Sequence, residues 1–526
     1  MSSNASLSMQ KIVSLAKRRG FVYQSSEIYG GLRSSYDYGP MGVELKRNLT
    51  SEWWRAMVHS REDIVGLDAS IIMHPKVWHS SGHLANFADP LVDCKLCGER
   101  FRADKAPQMA EGEPALITLA DKGRAKAALD KALNVLGVTL TRKGKTLEGA
   151  VADDRRYVCP SCGAPYLSEE RQFNLMLRSF LGPVDPIGAV VNAVRQAVED
   201  GEDVDVQRAV AEEVLAESSV YLRPETAQAM FVQFPNVLQS TAAKVPFGIA
   251  QVGKSFRNEV TVEHFIFRSV EFEQMEMEYF VQPGEGPKWL EYWKEARMNW
   301  WRSIGLRPES LRLRKHGADE LAHYSDGCFD VEYLFPWGWD ELEGIASRTD
   351  YDLNAHGEGS GKKLQYFDPE AINPETGKKG WRYLPHVIEP AAGATRGVLA
   401  VLCDAYEEEE GDADGKGKRT VLKLHPRLAP IKAGILPLVK KDGMPETARR
   451  IVDDFLKAGI NAKYDAQHSI GKRYARHDEV GTPYCLTVDG QTSEDGQVTI
   501  RYRDDRRQER IKVEEAVDVV QKALRV

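Results

Sequence analysis

Apolar residues recur at helical spacing in several parts of the chain. Between residues 42 and 58 they fall on one helical face, which predicts an amphipathic helix. The apolar positions of this helix are Val43, Leu45, Leu49, Trp53 and Met57. Valines repeat every fourth residue across much of 187–217 among acidic residues, so we expect helices there as well.

The pattern changes to β-branched and aromatic runs between 221 and 280, which predicts strands. Strands and loops continue to about residue 390, and a helix is predicted over 397–405. Beyond residue 418, apolar strands alternate with helices at 445–458 and 513–524. This alternation predicts a small α/β domain built from βαβ units.

The length of 526 residues predicts several domains. The tract 407–417 is acidic and then rich in Gly, Asp and Lys, which predicts a solvated linker. We therefore expect one large region over 1–406 and a second domain over 418–526. The large region is expected to contain insertions at 94–162 and 183–217.

Charge is unevenly distributed along the chain. The net charge is −8, yet residues 418–526 contain 22 Lys and Arg against 16 Asp and Glu. This balance favours a polyanionic partner, although modest positive balances are common in globular domains. No stretch approaches the roughly 18 apolar residues of a membrane span, and the first residues do not resemble a secretory signal. We expect a cytoplasmic protein with no membrane partner.

Four of the seven cysteines form two Cys-x-x-Cys pairs. These are Cys94 with Cys97, and Cys159 with Cys162. In a long cytoplasmic chain such pairs indicate a metal site rather than disulfides. Four thiolates predict a structural Zn²⁺ site, with the 61 residues between the pairs looped out. The alternative is a set of four thiols that hold no metal.

The densest chemistry lies in 255–259 and 267–278. On two antiparallel strands, alternate residues face one side, so Arg257 should share a face with Glu259. Arginine forks bind phosphates, aromatic rings stack on bases, and carboxylates hold ammonium groups. The segments therefore suit a nucleotide and an amine bound together. Taken alone, they would also suit a surface sheet with alternating ion pairs.

These two segments resemble motif 2 of class II aminoacyl-tRNA synthetases, in the form found in glycyl-tRNA synthetases. The strand, glycine break and helix of 387–397 resemble motif 3, and 36–75 resembles motif 1. Further segments similar to the glycyl family are 82–90, 221–228 and 339–353. The resemblance extends over nearly all of the chain except 103–155 and 187–217.

The resemblance implies an α+β catalytic domain whose core is a six-stranded antiparallel sheet flanked by helices. It also implies a C-terminal α/β anticodon-binding domain, since 428–438, 469–483 and 498–508 resemble that domain. The implied activity is the activation of glycine with ATP and its transfer to the 3′ end of a tRNA. Motif 1 would form a homodimer, so the implied partners are glycine, ATP with Mg²⁺, tRNA and a second copy of the chain.

Roles for the ATP site follow from the same resemblance. Arg257 would bind the α-phosphate and Arg396 the γ-phosphate, and both would act catalytically by stabilising charge. Phe272 would stack on adenine, and Glu341 would hold Mg²⁺. The full ATP-binding set is Arg257, Asn258, Glu259, Phe267, Arg268, Phe272, Glu341, Leu342, Gly393 and Arg396.

Glycine would be held by its ammonium group among Glu225, Glu276 and Glu389. Carboxylates close to the α-carbon leave no space for a methyl group, so no editing domain is expected. The full glycine-binding set is Arg102, Glu225, Gln274, Glu276, Arg348, Glu389 and Ala391. Ala391 departs from the family, which usually has serine there, and we expect an active enzyme nevertheless.

Two alternatives remain beside this interpretation. A class II synthetase for proline, threonine or histidine would share the type of C-terminal domain, but the three glutamates and the lack of an editing insertion argue against it. A catalytically inactive, nucleic-acid-binding accessory protein should have lost Arg257 and Arg396. Both arginines are present.

Overall fold

The structure is a computed structural model. It describes residues 8–109, 113–120, 134, 137, 139–143, 145–151, 157–183, 185–260, 264–322, 324–410 and 418–525. The described α-helices are α1 Met9–Arg19, α2 Pro40–Trp54, α3 Pro75–Ser80, α4 His83–Asn86, α5 Pro186–Glu199, α6 Val204–Ser218, α7 Ala227–Thr241, α8 Gly286–Ser303, α9 Tyr351–Ser360, α10 Ala394–Ala405, α11 Met444–Lys457, α12 Ile470–Glu479, α13 Thr492–Asp495 and α14 Ala516–Arg525. None of these helices has both the length and the apolar character that crossing a bilayer requires.

The described strands are β1 Val22–Gln24, β2 Tyr36–Tyr38, β3 Ile64–Gly66, β4 Ile72–Met73, β5 Ala88–Asp93, β6 Arg100–Arg102, β7 Ala115–Ala120, β8 Thr141–Lys143, β9 Thr146–Val151, β10 Arg171–Asn174, β11 Leu177–Phe180, β12 Ser219–Leu222, β13 Phe247–Phe256, β14 Glu271–Val281, β15 Leu311–Lys315, β16 Gly327–Phe335, β17 Gly338–Thr349, β18 Tyr366–Ile372, β19 Lys379–Tyr383, β20 His386–Gly393, β21 Tyr406–Glu410, β22 Lys418–Leu422, β23 Ala433–Pro437, β24 Ala462–Tyr464, β25 Tyr484–Val488, β26 Gln497–Tyr502 and β27 Gln508–Lys512.

These elements form two compact units. The first contains the described residues within 1–71, 225–255 and 264–526, and the second those within 72–224 and 256–263. The first unit is built on a sheet with the strand order β15-β16-β17-β20-β14-β13-β3. The pairs from β15 through β20 to β14 are antiparallel, and β3 joins the edge parallel to β13. The expected α+β fold is confirmed, with a seventh strand added at one edge.

The side chains of strand β14 are apolar on one face of this sheet and polar on the other. Met275, Met277 and Tyr279 are fully buried in the main apolar core with Trp301 of α8 and Val398 of α10. Successive side chains of a strand point to opposite faces, so the residues between them lie on the other side. These are Gln274, Glu276 and Glu278, all of them buried. Burial of three polar residues on one face marks it as the face that carries chemistry.

The C-terminal domain is a five-stranded sheet ordered β24-β23-β25-β26-β27. Strand β23 is parallel to both β24 and β25, whereas β26 and β27 are antiparallel. Helix α11 covers the sheet because Ala448, Ile451 and Phe455 recur at helical spacing and are buried together. The predicted α/β domain with βαβ units is confirmed.

Packing places the start of this domain later than residue 418. Leu422, Leu424, Leu428 and Ala429 are fully buried in the core of the large sheet, not in the C-terminal one. The expected linker also begins within structure, because β21 pairs with β22 as an antiparallel hairpin that starts at Tyr406. Acidic residues of β21 face basic residues, as in the Lys423–Glu407 pair at 2.6 Å. Residues 411–417 lie outside the described residues.

The second unit holds three small sheets, ordered β10-β5-β6, β11-β12-β4 and β7-β9-β8. Strands β8 and β9 pair as an antiparallel hairpin. The segment 187–217 forms α5 and α6 as predicted, each with an aspartate N-cap that accepts from two backbone N–H groups. Aspartate satisfies the open N–H groups of a first helical turn, which explains where both helices begin.

Candidate active site

A cluster of carboxylates surrounds one arginine on the polar face of the large sheet. Glu276 lies on β14, Glu389 on β20 and Arg348 at the end of β17, while Glu225 precedes α7. Their hydrogen bonds and ion pairs join the strands to α7 and α9. The structure therefore brings together predicted glycine-binding residues that are far apart in the sequence.

Arg348 is 1% exposed and makes a forked contact with Asp352. Its Nε donates to Asp352 Oδ2 at 2.8 Å, and its Nη2 donates to Asp352 Oδ1 at 3.0 Å. Its Nη1 donates to Glu389 Oε1 at 2.9 Å, and Nη2 lies 3.9 Å from Glu225 Oε1. Burial alone would lower the pKa of Arg348. The attraction of the neighbouring carboxylates is larger than this effect, so the pKa is raised well above its usual value.

Glu276 is held by hydrogen-bond donors from two directions. One carboxylate oxygen accepts from the Thr226 backbone N–H at 3.0 Å and from the Thr226 hydroxyl. The other accepts from Gln274 Nε2 at 3.2 Å, while Gln274 Oε1 accepts from the Ser255 hydroxyl at 2.6 Å. Burial and the neighbouring Glu225 raise the pKa of Glu276. Burial raises the pKa of Glu389 well above its usual value as well, against the pull of Arg348.

Small residues border the carboxylates on the same face. Ala391 pairs across the sheet with Glu276 on one side and Gly344 on the other. Ala346 likewise pairs with Glu389. Directly paired residues of antiparallel strands project to the same side, so a methyl group or a hydrogen stands beside each carboxylate. A ligand at this place meets acidic groups and very little side-chain bulk.

Supporting residues in this cluster were not predicted from the sequence. Gln228 Nε2 donates to Glu225 and to Asp352, both at 2.9 Å, and His356 Nε2 lies 2.8 Å from Gln228 Oε1. The Tyr324 ring lies 4.0 Å from the Arg348 guanidinium. One signal was available for Asp352, because it follows Arg348 by four residues across the junction between β17 and α9.

Arg396 and Glu341 form a second cluster of predicted residues. Arg396 Nη1 lies 3.1 Å from Glu341 Oε1, and its guanidinium lies 4.4 Å above the Phe267 ring. Gly393 caps α10 just before Arg396, and a Cβ there would meet the Arg396 side chain at 3.4 Å. The side chain of Leu342 is buried in the main core, so only its backbone faces outward. An arginine at an exposed edge can bind an anionic ligand by its free N–H groups.

Phe272 is placed in a different environment, at the beginning of β14. It lines a cavity of about 330 Å³. The other lining residues are Tyr36, Asp37, Tyr38, Lys46, Lys254, Glu271, Glu273 and Thr395. Arg268 directly follows the 3-10 turn Phe265–Phe267 with an extended backbone. Aromatic rings beside lysines suit a flat, polar ligand.

Arg257, Asn258 and Glu259 belong to the second unit. The expectation that Arg257 and Glu259 share one face of a strand is wrong, because β13 ends at Phe256. The Glu259 N–H donates to the Arg257 carbonyl at 2.8 Å, a tight turn that breaks strand alternation. Arg257 Nε donates to the Pro224 carbonyl at 3.1 Å, so its remaining N–H groups have a fixed direction.

Arg102 also lies in the second unit, at the end of β6. It donates to both oxygens of Asp104, at 3.0 and 2.8 Å, and pairs with Asp89 at 2.8 Å. The hydrogen bonds to Asp104 raise the pKa of Arg102. Two carboxylates fix this arginine in one orientation.

The two Cys-x-x-Cys pairs meet in the second unit. The Sγ atoms of Cys94 and Cys162 are 3.6 Å apart, as are those of Cys97 and Cys159, and all four lie within 4.8 Å of one another. Each pair ends in a glycine with positive φ, Gly98 or Gly163, whose N–H donates at 2.8 Å to the first cysteine carbonyl. A tetrahedral ion about 2.3 Å from each sulfur would set the sulfurs roughly 3.8 Å apart, close to this arrangement.

Two family models match the chain. The class II core domain of tRNA synthetases (G, H, P, S and T) matches residues 211–406, and the anticodon binding domain matches residues 432–523. The prolyl-tRNA synthetase from Cryptosporidium parvum, solved in complex with L-proline and AMP, matches with a TM-score of 0.56 at 12% identity. This match covers 100% of the present chain and 77% of that chain. The likeness confirms the fold.

Full-length relatives are more informative about the family. The glycine–tRNA ligase of Treponema denticola is 45% identical over 507 residues, which are 96% of this chain and 94% of that protein. The glycine–tRNA ligase of Lysinibacillus sphaericus is 44% identical over 523 residues, 99% of each chain. That of Streptomyces coelicolor is 45% identical over 510 residues, 96% of each chain. The protein therefore belongs to the glycine–tRNA ligase family of class II synthetases.

Proposed function

We propose that the protein activates glycine with ATP to glycyl-adenylate and transfers glycine to the 3′ end of its tRNA. The observation that carries this proposal is the cluster of Glu225, Glu276 and Glu389 around the buried Arg348. Such a cluster binds an ammonium group next to a cation that can hold a carboxylate, which together describe an amino acid. The relatives support this function over that of an inactive accessory protein.

The cluster selects glycine by excluding larger amino acids. The small side chains beside the carboxylates, Gly344, Ala346 and Ala391, leave space for the ligand backbone, while Glu276 and Glu389 stand where a side chain would begin. A site closed by fixed, buried carboxylates cannot move aside for a methyl group without exposing unpaired charge. Because glycine is the smallest amino acid, steric exclusion alone provides selectivity.

Adenylate formation requires the glycine carboxylate to attack the α-phosphate of ATP with release of pyrophosphate. We assign Arg257 to the α-phosphate and Arg396 to the γ-phosphate. The chemistry needs orientation and neutralisation of charge, and no side-chain nucleophile. Phe272 is assigned to the adenine base, where an aromatic ring and neighbouring lysines provide a stacking surface.

Mg²⁺ would be held against the phosphates by Glu341. A magnesium ion in such sites uses one or two carboxylates together with substrate oxygens, and the half-exposed Glu341 carboxylate is of the right type. The ion would supply charge stabilisation on the phosphates. In the free protein Arg396 pairs with this carboxylate, so phosphate binding would exchange one anionic partner of Arg396 for another.

We also assign a structural Zn²⁺ to Cys94, Cys97, Cys159 and Cys162. Four thiols whose Sγ atoms lie within 4.8 Å of one another support it, and a closed set of four thiolates leaves no position for catalysis. The ion would connect the two ends of the insertion 94–162. Its contribution is stability of the second unit rather than chemistry.

The C-terminal domain is proposed to bind the tRNA anticodon, because it matches an anticodon-binding family and carries a basic balance. A homodimer through the motif 1 segment 36–75 and a cytoplasmic location complete the proposal. The resemblance to the glycyl family supports both.

Glycine-dependent exchange between ATP and pyrophosphate tests the central proposal. We expect exchange with glycine and none above background with alanine, serine or proline, using the same purified protein. Equal exchange with alanine would overturn the steric argument. No exchange with any of the four amino acids would favour the accessory-protein alternative.

A further inference from the structure

Glu278 is a buried carboxyl group of β14 to which neither the motifs nor the proposed mechanism gives a role. It is 0% exposed, and no hydrogen-bond donor contacts either of its oxygens among the residues described. One of its oxygens lies within 4.8 Å of oxygens of both Glu276 and Glu389. It therefore faces the glycine-binding cluster from the strand side, two residues beyond Glu276.

Every other carboxylate of this cluster has a donor. Thr226 donates to Glu276, Arg348 to Glu389 and Asp352, and Gln228 to Glu225. A buried carboxylate without a donor is very unfavourable, because it has lost its hydration without gaining a partner. Glu278 is thus the member of the cluster whose ionised form would accept no hydrogen bond from the described residues.

The charge balance leads to the same conclusion. Among the residues that the structure describes, the cluster contains five carboxyl groups, those of Glu225, Glu276, Glu278, Asp352 and Glu389, and one buried cation, Arg348. All five cannot be ionised together in a buried space with a single positive charge. Burial and the nearby Glu389 raise the pKa of Glu278 well above its usual value, against the opposing effect of Arg348, and Glu276 and Asp352 add to the repulsion.

We propose that Glu278 is a positioning residue that stays protonated and directs its O–H toward the Glu276 and Glu389 carboxylates. A protonated carboxyl group is neutral and also has one O–H donor, so it lowers the repulsion and can orient one of these two acceptors at a time. Their remaining lone pairs are then available to the ammonium group of glycine. This inference rests on the proposed function, because it assumes that the ligand of the cluster is the glycine amine.

Two substitutions of Glu278 distinguish a role as a neutral hydrogen-bond donor from a role as an anion. In Glu278→Gln the side chain remains neutral, similar in shape and able to donate, so we expect the KM for glycine to stay within about threefold of wild type. In Glu278→Leu the donor is lost at similar volume, and we expect the KM for glycine to rise at least tenfold. The KM for ATP should be unchanged in both. Glycine-dependent pyrophosphate exchange at saturating ATP measures these constants.

Glu343→Gln provides a matched control. Glu343 is equally buried in the same sheet, but it accepts from Arg297 Nε and Trp301 Nε1, both at 2.6 Å. Removing its charge should lower the Tm and leave the KM for glycine unchanged, whereas Glu278→Gln should keep or raise the Tm. Infrared difference spectra of wild type minus Glu278→Gln should show the C=O band of a protonated carboxyl group, which remains informative even where Glu278→Leu does not fold.

The results that would overturn the inference differ from those that would overturn the proposed function. If wild type shows no glycine-dependent exchange, the proposed function fails before any variant is compared. If wild type is active and Glu278→Gln loses glycine binding as strongly as Glu278→Leu, Glu278 acts as an anion and the inference is wrong. It is also wrong if both variants bind glycine like wild type, or if the protonated carboxyl band is missing.

Discussion

Arg348 and Asp352 are joined by two parallel hydrogen bonds of 2.8 and 3.0 Å, so that one edge of the guanidinium is fixed before any ligand binds. The remaining Nη1 is thereby directed at Glu389, on a different strand. A planar fork on a carboxylate fixes orientation as well as charge. Asp352 thus determines which way the buried Arg348 guanidinium points within the carboxylate cluster.

Arg348→Lys tests this relationship. Lysine keeps the charge but cannot form the fork, so Glu389 and Glu225 lose a positioned partner. We expect the KM for glycine to rise by roughly 100-fold, about 2.7 kcal/mol, with the KM for ATP nearly constant. Pyrophosphate exchange measures both constants. Arg314→Lys is the control, because Arg314 pairs with Asp330 and Glu332 on the same sheet outside the cluster; a similar loss there would argue against a specific role.

The sequence predicted the residues of the acidic cluster better than the residues that hydrogen-bond to them. Glu225, Glu276, Glu389 and Arg348 were recognised because each lies in a motif of the family. Gln228 was missed because its role depends on bonds to residues that are distant in the chain. No periodicity in a single sequence encodes such a tertiary network, which forms only when the strands and helices are packed together.

Two expectations drawn from local sequence patterns were wrong, one about the end of a strand and one about a domain boundary. Alternation predicted that Arg257 and Glu259 share a face, but the turn after Phe256 ends that alternation. The boundary near residue 418 was placed by the change in composition, whereas the buried Leu422, Leu424 and Leu428 follow packing instead. Composition predicted a solvated linker over 407–417, but it carries no information on where the next hydrophobic core begins.

Stability should fall as the pH rises in the absence of glycine. The folded state raises the pKa values of Glu276, Glu278 and Glu389 above the ordinary 4.5, mainly through burial. A group with a raised folded pKa favours folding below its unfolded pKa, and this contribution is lost as the pH rises through the folded value. Each proton retained only by the folded state gives a loss of about 1.4 kcal/mol per pH unit.

Glycine should counteract this loss, because its ammonium group compensates the carboxylates as they ionise. Thermal unfolding between mildly acidic and mildly alkaline pH, with and without glycine, measures the effect. The increase in Tm caused by glycine should grow with pH, and acetate, which lacks the amine, should give none. A Tm that does not depend on pH in the free protein would contradict the raised pKa values.

Ala391→Ser restores the hydroxyl that is usual in the family. Ala391 pairs directly with Glu276, so the added hydroxyl would point to the same face and could donate to that carboxylate or to the ligand. A single added hydrogen bond contributes about 1 kcal/mol, so we expect glycine binding to tighten by no more than about tenfold. Titration of glycine binding by calorimetry measures the change. Binding a thousandfold tighter would show that the hydroxyl is not dispensable.

Metal analysis should find about one zinc per chain, because the four Sγ atoms lie within 4.8 Å of one another and four thiolates are a usual ligand set for structural zinc. Cys97→Ser should lose the metal and lower the Tm, since the Cys97 Sγ lies 3.6 Å from the Sγ of Cys159 in the other pair. Cys328→Ser is the control, because Cys328 lies outside this cluster and should keep the zinc content of wild type. Less than about 0.2 zinc per chain in wild type would reject the site.

Two truncations separate the catalytic core from the domain proposed to bind the anticodon. Removing 431–526 keeps Leu422, Leu424, Leu428 and Ala429 in the core of the large sheet. This variant should retain glycine-dependent pyrophosphate exchange and lose the charging of tRNA.

Removing 418–526 also strips these four fully buried residues from the core. Loss of a buried leucine costs roughly 2–5 kcal/mol, so the loss of three is comparable to the usual stability of about 5–15 kcal/mol for a folded domain. We therefore expect this shorter variant to be insoluble or unfolded by circular dichroism, with no exchange activity. If both truncations kept the exchange activity, the buried leucines would not be needed for the core. If both lost it while remaining folded, the C-terminal domain would be required for adenylate formation itself.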